Sequence, residues 1–89
     1  MEKERIIKAI QRHILMKLVE HRCWQHKHTN INNLPKGLPS ELKDSGYVKE
    51  AIKWLIKTGW FLTKPTSYGL EISLNIKKKK EIEEFIEKH

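Results

Sequence analysis

Apolar residues recur at helical spacing through the first quarter of the chain. Ile6, Ile7, Ile10, Ile14 and Leu18 fall on one stripe, and Lys3, Arg5, Lys8 and Arg12 lie largely off it. The spacing predicts a helix from Glu2 to about Arg22. Its second half, Ile14-Leu15-Met16 with Leu18-Val19, is apolar nearly all round. Such a surface is either deeply buried or used at an interface. Two readings stand: a homodimer contact through Leu15, Met16 and Val19, or cover by the last helix.

Trp24 to Ser40 carries no clear period and holds Pro35, Gly37 and Pro39. Thr29-Asn30-Ile31 is a candidate short strand pairing with a later hairpin, and Leu34 and Leu38 are candidate anchors to the core. Pro39 to Lys43 suits a short second helix with proline in its first turn. Asp44-Ser45-Gly46 breaks the chain, with Asp44 or Ser45 available as a cap. A third helix is expected from Tyr47 to Thr58. Val48, Ala51, Ile52, Leu55 and Ile56 form its apolar face; Lys49, Glu50, Lys53, Trp54 and Lys57 fall opposite. Gly59 ends it as a left-handed C-cap. Trp60 to Lys64 then reads as a strand and Pro65 to Gly69 as a turn. In Leu70 to Ile76 strict alternation places Leu70, Ile72, Leu74 and Ile76 inward and Glu71, Ser73 and Asn75 outward. Lys77 to Lys80 opens a last helix carrying Ile82, Phe85 and Ile86 on one face. Four lysines at a helix start oppose the helix dipole.

Eighty-nine residues bound this to one domain, 1–89, of class α+β. Helix, short strand, helix, helix, hairpin, helix is a layout that resembles the winged helix-turn-helix family over nearly the whole chain. The most specific part is Leu55-x-x-x-Gly59 running into Trp60-Phe61-Leu62 and a hairpin. The segments His28-Thr29, Leu34-Pro35-Lys36-Gly37 and Lys64-Pro65-Thr66-Ser67-Tyr68-Gly69 are similar to those of small archaeal winged-helix proteins. The resemblance implies a three-helix core, a β-hairpin wing and an additional C-terminal helix.

Charge changes what this fold is expected to do. Eighteen Lys and Arg against eleven Asp and Glu give a formal charge of +7. Eight of those lysines lie between Tyr47 and Lys80 with two glutamates, a local +6. A basic surface of this kind attracts polyanions. In helix-turn-helix proteins the helix after the turn enters the major groove. By that analogy Lys49, Lys53 and Lys57 contact phosphate or guanine, Glu50 accepts from cytosine, and Trp54 stacks, joins an interface or packs under the first helix. Lys64, Thr66, Ser67 and Tyr68 of the wing meet the minor groove or backbone. Thr29, Lys36, Ser40 and Lys43 hold flanking phosphates. No arginine lies on this face, although arginine is the favoured bidentate reader of guanine, so backbone binding is better supported than sequence readout. The expected partner is double-stranded DNA, bound by a small transcription regulator or accessory chromosomal protein. A homodimer through the first and last helices would set two reader helices in successive grooves. The main alternative is a protein-interaction module, and RNA is a third partner class.

Other chemistry is thinly represented. His21, Cys23, His26 and His28 lie within eight residues, but Cys23-x-x-His26-x-His28 is not a standard zinc spacing and no second cluster completes it. A solvated polar loop is expected, with no metal and no cofactor. Glu81, Glu83, Glu84 and Glu87 read as a solvated helix face. Gly37 and Gly69 are isolated, and nothing evident sets a base beside Cys23, so no catalytic residue is assigned. The single cysteine rules out an internal disulfide. The charged start is unlike a signal peptide, and no apolar run approaches the ~20 residues that span a bilayer. A cytoplasmic location is expected.

Overall fold

A computed structural model describes residues 2–89; Met1, counted in the expected domain, lies outside the described residues. The order is helix α1 (Glu2–Glu20), strand β1 (Thr29–Asn30), a 3-10 segment (Ile31–Gly37), helices α2 (Ser40–Lys43) and α3 (Val48–Lys57), strands β2 (Phe61–Thr66) and β3 (Gly69–Leu74), a 3-10 turn (Ile76–Lys78) and helix α4 (Lys79–Lys88). The strands form one antiparallel sheet in the order β1-β3-β2. The expected short strand is present at Thr29 and Asn30, paired to β3, while Ile31, also expected in it, begins the 3-10 segment.

The core forms where α1 lies across α3 and α4 and reaches β3. Ile10, Ile14, Leu15 and Leu18 of α1 join Ala51, Ile52 and Leu55 of α3, Phe61, Ile72 and Leu74 of the sheet, and Ile82 of α4. Leu34 and Leu38 anchor the irregular segment to this core, as their isolation among polar residues predicted. Leu15 is fully buried and Val19 packs against the core, which leaves Met16 as the exposed apolar residue of α1 at 41%. Leu15 is thus committed to the fold, and Val19 is half-buried against it.

Gly59 has φ +80° and its N–H donates to the Ile56 carbonyl, closing the end of α3. Asn75 then ties this corner to β3: its Nδ2 donates to the Gly59 carbonyl at 2.9 Å. An added Cβ at Gly59 would meet nothing within 4 Å, so a substitution is strained by backbone conformation alone. Gly59→Ala is expected to lower stability by about 1–2 kcal/mol, read as a lower midpoint of thermal unfolding. An unchanged midpoint would show that the corner can be turned without a left-handed residue.

The hairpin departs from its expected form. Its strands pair Phe61 with Leu74 through Thr66 with Gly69, leaving a loop of Ser67 and Tyr68 alone. Pro65 was expected in the turn and stands instead in β2. That is tolerated because β2 is an edge strand, where a missing N–H removes no bond to a further neighbour. Thr66 closes the loop with its side chain: Oγ1 donates to the Gly69 carbonyl at 2.7 Å and accepts from the Tyr68 N–H at 3.2 Å.

Two expectations from alternation along β3 are overturned. Ser73 was placed outward and is fully buried. Ile76 was placed inward and is 44% exposed. The burial of Ser73 follows from the segment Cys23–Gln25, which is turned sharply by Arg22 (φ 56°) and Gln25 (φ 53°) and lies along the end of β3. The Leu74 N–H donates to the Cys23 carbonyl at 2.7 Å, and the Gln25 N–H donates to the Leu74 carbonyl at 2.9 Å. Ser73 is covered by this segment and its Oγ donates to the Gln25 carbonyl at 2.7 Å, which satisfies the buried hydroxyl. The strand stops at Leu74. Asn75 caps the following 3-10 turn by accepting from the Lys77 N–H, and Ile76 begins that turn.

That turn also resolves the lysine run. Lys77 and Lys78 precede α4, so two lysines rather than four occupy its first turn. Glu81 stands 3.8 Å from Lys78 Nζ and offsets part of the unfavourable charge.

Candidate nucleic-acid interface

The site begins with the spacing of α3. Lys49, Lys53 and Lys57 are each four residues apart, so they form one stripe along the helix. All three are exposed, and among the described residues none lies within 4.0 Å of a carboxylate. Their charge therefore faces solvent without an internal partner.

Beside this stripe runs a groove between α3 and the 3-10 segment. Ile31 and Pro35 form one wall; Val48, Ile52 and Ile56 form the other; Lys49 and Lys53 stand at the rim. Asn32 also lines it, and the same segment links the groove to the hairpin loop. Asn30, just before the groove, donates from Nδ2 to the Tyr68 carbonyl at 3.3 Å. Tyr68 itself is 88% exposed at the hairpin tip. The α3 stripe and the hairpin loop are thus joined through a single short stretch, Asn30–Asn32.

Glu50 and Trp54 are turned away from the stripe. Glu50 sits on the ridge between the groove and a hollow lined by Ile7, Gln11, Trp54 and Phe85. Its Oε2 lies 3.5 Å from Lys3 Nζ of α1, in an exposed pair. That lysine also stands 5.7 Å from the centre of the Tyr47 ring. Trp54 is 40% exposed and packs edge-on to Trp60 at 5.2 Å, with Phe85 6.4 Å away. Phe85 in turn contacts Trp60 at 5.6 Å and His89 at 4.7 Å. Trp54 therefore belongs to an aromatic cluster that fastens α4 to the end of α3.

The remaining residues are scattered. Lys64 is exposed on β2 with Glu71 as its cross-strand neighbour, so its charge is partly offset. Lys36 follows Pro35 at the end of the groove wall, and Lys43 is exposed on α2. Lys43, Lys57 and Lys64 lie outside the groove lining among the described residues. Ser67 is exposed in the hairpin loop and Ser40 at the start of α2. Thr29 is half-buried in β1, and its Oγ1 accepts from Asn33 Nδ2 at 3.2 Å.

The histidine-rich segment is not simply a solvated loop. Cys23 is buried in the core, and burial pushes its thiol up from the ordinary value, against a smaller opposing pull from the Lys27 ammonium. Among the described residues, no group of three or more His, Cys, Asp or Glu is placed to hold a metal ion. No helix of the described residues is long and apolar enough to cross a membrane. No protein-family model, curated protein or solved structure matches the chain, so the reading of the site rests on its own geometry and charge.

Proposed function

We propose that the chain is a winged-helix protein that binds double-stranded DNA, as a small transcription regulator or accessory chromosomal protein. The observation that carries this reading is the exposed stripe Lys49, Lys53 and Lys57, free of carboxylate partners, on the helix that follows the Asp44–Gly46 turn. In this reading the stripe neutralises backbone phosphates, the hairpin loop at Ser67 and Tyr68 touches the adjacent backbone or minor groove, and the helix sets register. Lys36 and Lys43 add flanking charge. Glu50 is held towards Lys3 and Trp54 is packed against Trp60, so neither contributes base contacts without leaving its partner.

A protein-interaction role is the second reading, favoured by the apolar walls of the groove beneath Lys49 and Lys53. Salt dependence separates the two. Duplex affinity falls steeply with salt as counterions are released, by a log–log slope of roughly 0.9 for each phosphate neutralised. Three lysine contacts on α3 set a slope of at least about 3 in magnitude, which Lys36 and Lys43 raise where they also meet phosphate. Titration of a short mixed-sequence duplex at several salt concentrations measures it. Absence of binding at low salt would remove the DNA reading and leave the groove as a protein site.

A further inference from the structure

On the other side of the same 3-10 segment lies a second concavity of about 350 Å³. It is formed where the end of α1 meets the chain between His21 and Leu34. Its polar lining is Lys17, His21, Lys27, His28, Thr29 and Asn33, over a floor that includes Leu18 and Leu34. No Asp or Glu lines it. We propose that this pocket binds a phosphoryl group, held by the Lys17 and Lys27 ammoniums and the Thr29 hydroxyl.

Both lysines are exposed and stand at the rim of the concavity, each with its head group settled against the backbone. Lys27 Nζ donates to the His21 carbonyl at 2.7 Å, which fixes the ammonium and leaves two of its three donors free. Lys17 runs across Gly37, where an added Cβ would collide with its head group. The absence of a Gly37 side chain gives the Lys17 ammonium its resting place. Thr29 Oγ1 accepts from Asn33, so its own proton remains available to an anion. The apolar floor lowers the local dielectric and strengthens charge-assisted bonds to a bound anion.

The same features argue against a cation. Two ammoniums repel it, and no carboxylate in the lining balances its charge. The buried Cys23 thiol favours its protonated form, whereas a soft metal requires the thiolate. The pocket volume exceeds what inorganic phosphate fills and leaves room for a small phosphorylated molecule. A backbone phosphate of bound nucleic acid presents the same chemistry.

The test is a titration of the isotope-labelled full chain with inorganic phosphate, against sodium chloride at matched ionic strength. Saturable amide shifts concentrated in residues 17–21 and 27–34 are expected. Lys17→Gln and Lys27→Gln should each weaken them about tenfold, the scale of one lost charge-assisted hydrogen bond. These residues lie on different elements, so a local disturbance from one change does not compromise the other. Unsaturable shifts spread over all lysines, or unchanged affinity in both folded variants, would overturn the proposal. A mixed-sequence duplex then distinguishes the sources. Displacement of phosphate by duplex, with duplex affinity lost in Lys27→Gln, assigns a backbone phosphate. Phosphate retained beside bound duplex, or bound by a chain that takes no duplex, assigns a free small anion. The phosphate result is read without DNA, so failure of the DNA reading leaves it standing.

Discussion

The paired change Lys53→Glu with Lys57→Glu is expected to reduce duplex affinity by at least about 100-fold at low salt, while the domain stays folded. Each change removes one positive charge and adds one negative, so the formal charge of +7 falls to about +3. The loss exceeds that of two neutral substitutions, because the new carboxylates repel the phosphates that the ammoniums attracted. Folding should be spared, since both lysines are exposed and neither is held by a carboxylate among the described residues. Surface substitutions of this kind usually shift stability by less than about 0.5 kcal/mol. Circular dichroism and a fluorescence-anisotropy titration read the two properties separately. Wild-type affinity with an intact spectrum would remove α3 as the contact face. The Lys64→Glu change provides a graded comparison. Glu71 already offsets Lys64 across the strands, so its loss should matter less than that of either α3 lysine.

How much of this was legible in the sequence differs between the elements and the site. Periodicity located α1, α3, α4 and β3, because each buries one face and its spacing records which, whereas α2 was read from Pro39 in its first turn and β2 from the apolar restart after Gly59. The left-handed end of α3 was readable from Gly59, which stands where an apolar helix gives way to an apolar strand. Ser73 and Ile76 were not readable. Alternation says which side of β3 a residue takes, but Cys23–Gln25 covers the expected outer side at Ser73. Only a distant part of the chain, turned by two non-glycine residues with positive φ, makes that position interior. Pro65 misled for a related reason: proline marks turns in general, yet an edge strand accepts it, and edge status is a property of the whole sheet.

The lysine stripe was visible as i, i+4, i+8 spacing. That Glu50 leaves it was not, and for Trp54 packing was expected under the first helix rather than against Trp60 and Phe85, because a helical wheel gives angles but not which flank another helix covers. Here α1 brings Lys3 to Glu50, and α4 brings Phe85 to Trp54. The phosphoryl pocket shows the same limit. His21, Lys27 and His28 are close in sequence, but Lys17 arrives from one helical turn earlier and Asn33 from beyond β1, so the cluster exists only after folding. What the sequence showed as a histidine-rich run is, in the fold, a lysine-bearing concavity.

Leu55→Ala is expected to be among the most damaging single truncations to stability. Leu55 is fully buried in the cluster that unites α1, α3, the sheet and α4. Removing such a side chain costs about 2–5 kcal/mol, from lost burial and the cavity left behind. A chain of this length has roughly 4–13 kcal/mol of total stability, so the change consumes much of it. The thermal midpoint should fall by about 10–25 °C. Leu55 sits two residues from both Lys53 and Lys57, so its packing also holds the stripe in place. Duplex affinity should therefore fall with the unfolded fraction and recover on cooling, unlike the charge-reversed variant, which stays folded and does not bind. Met16→Ala, at an exposed site on α1, should change the midpoint little. Equal midpoints for Leu55→Ala and Met16→Ala would contradict the core described here. Loss of affinity in Leu55→Ala that persists where it is fully folded would show that the stripe depends on fine packing as well as on charge.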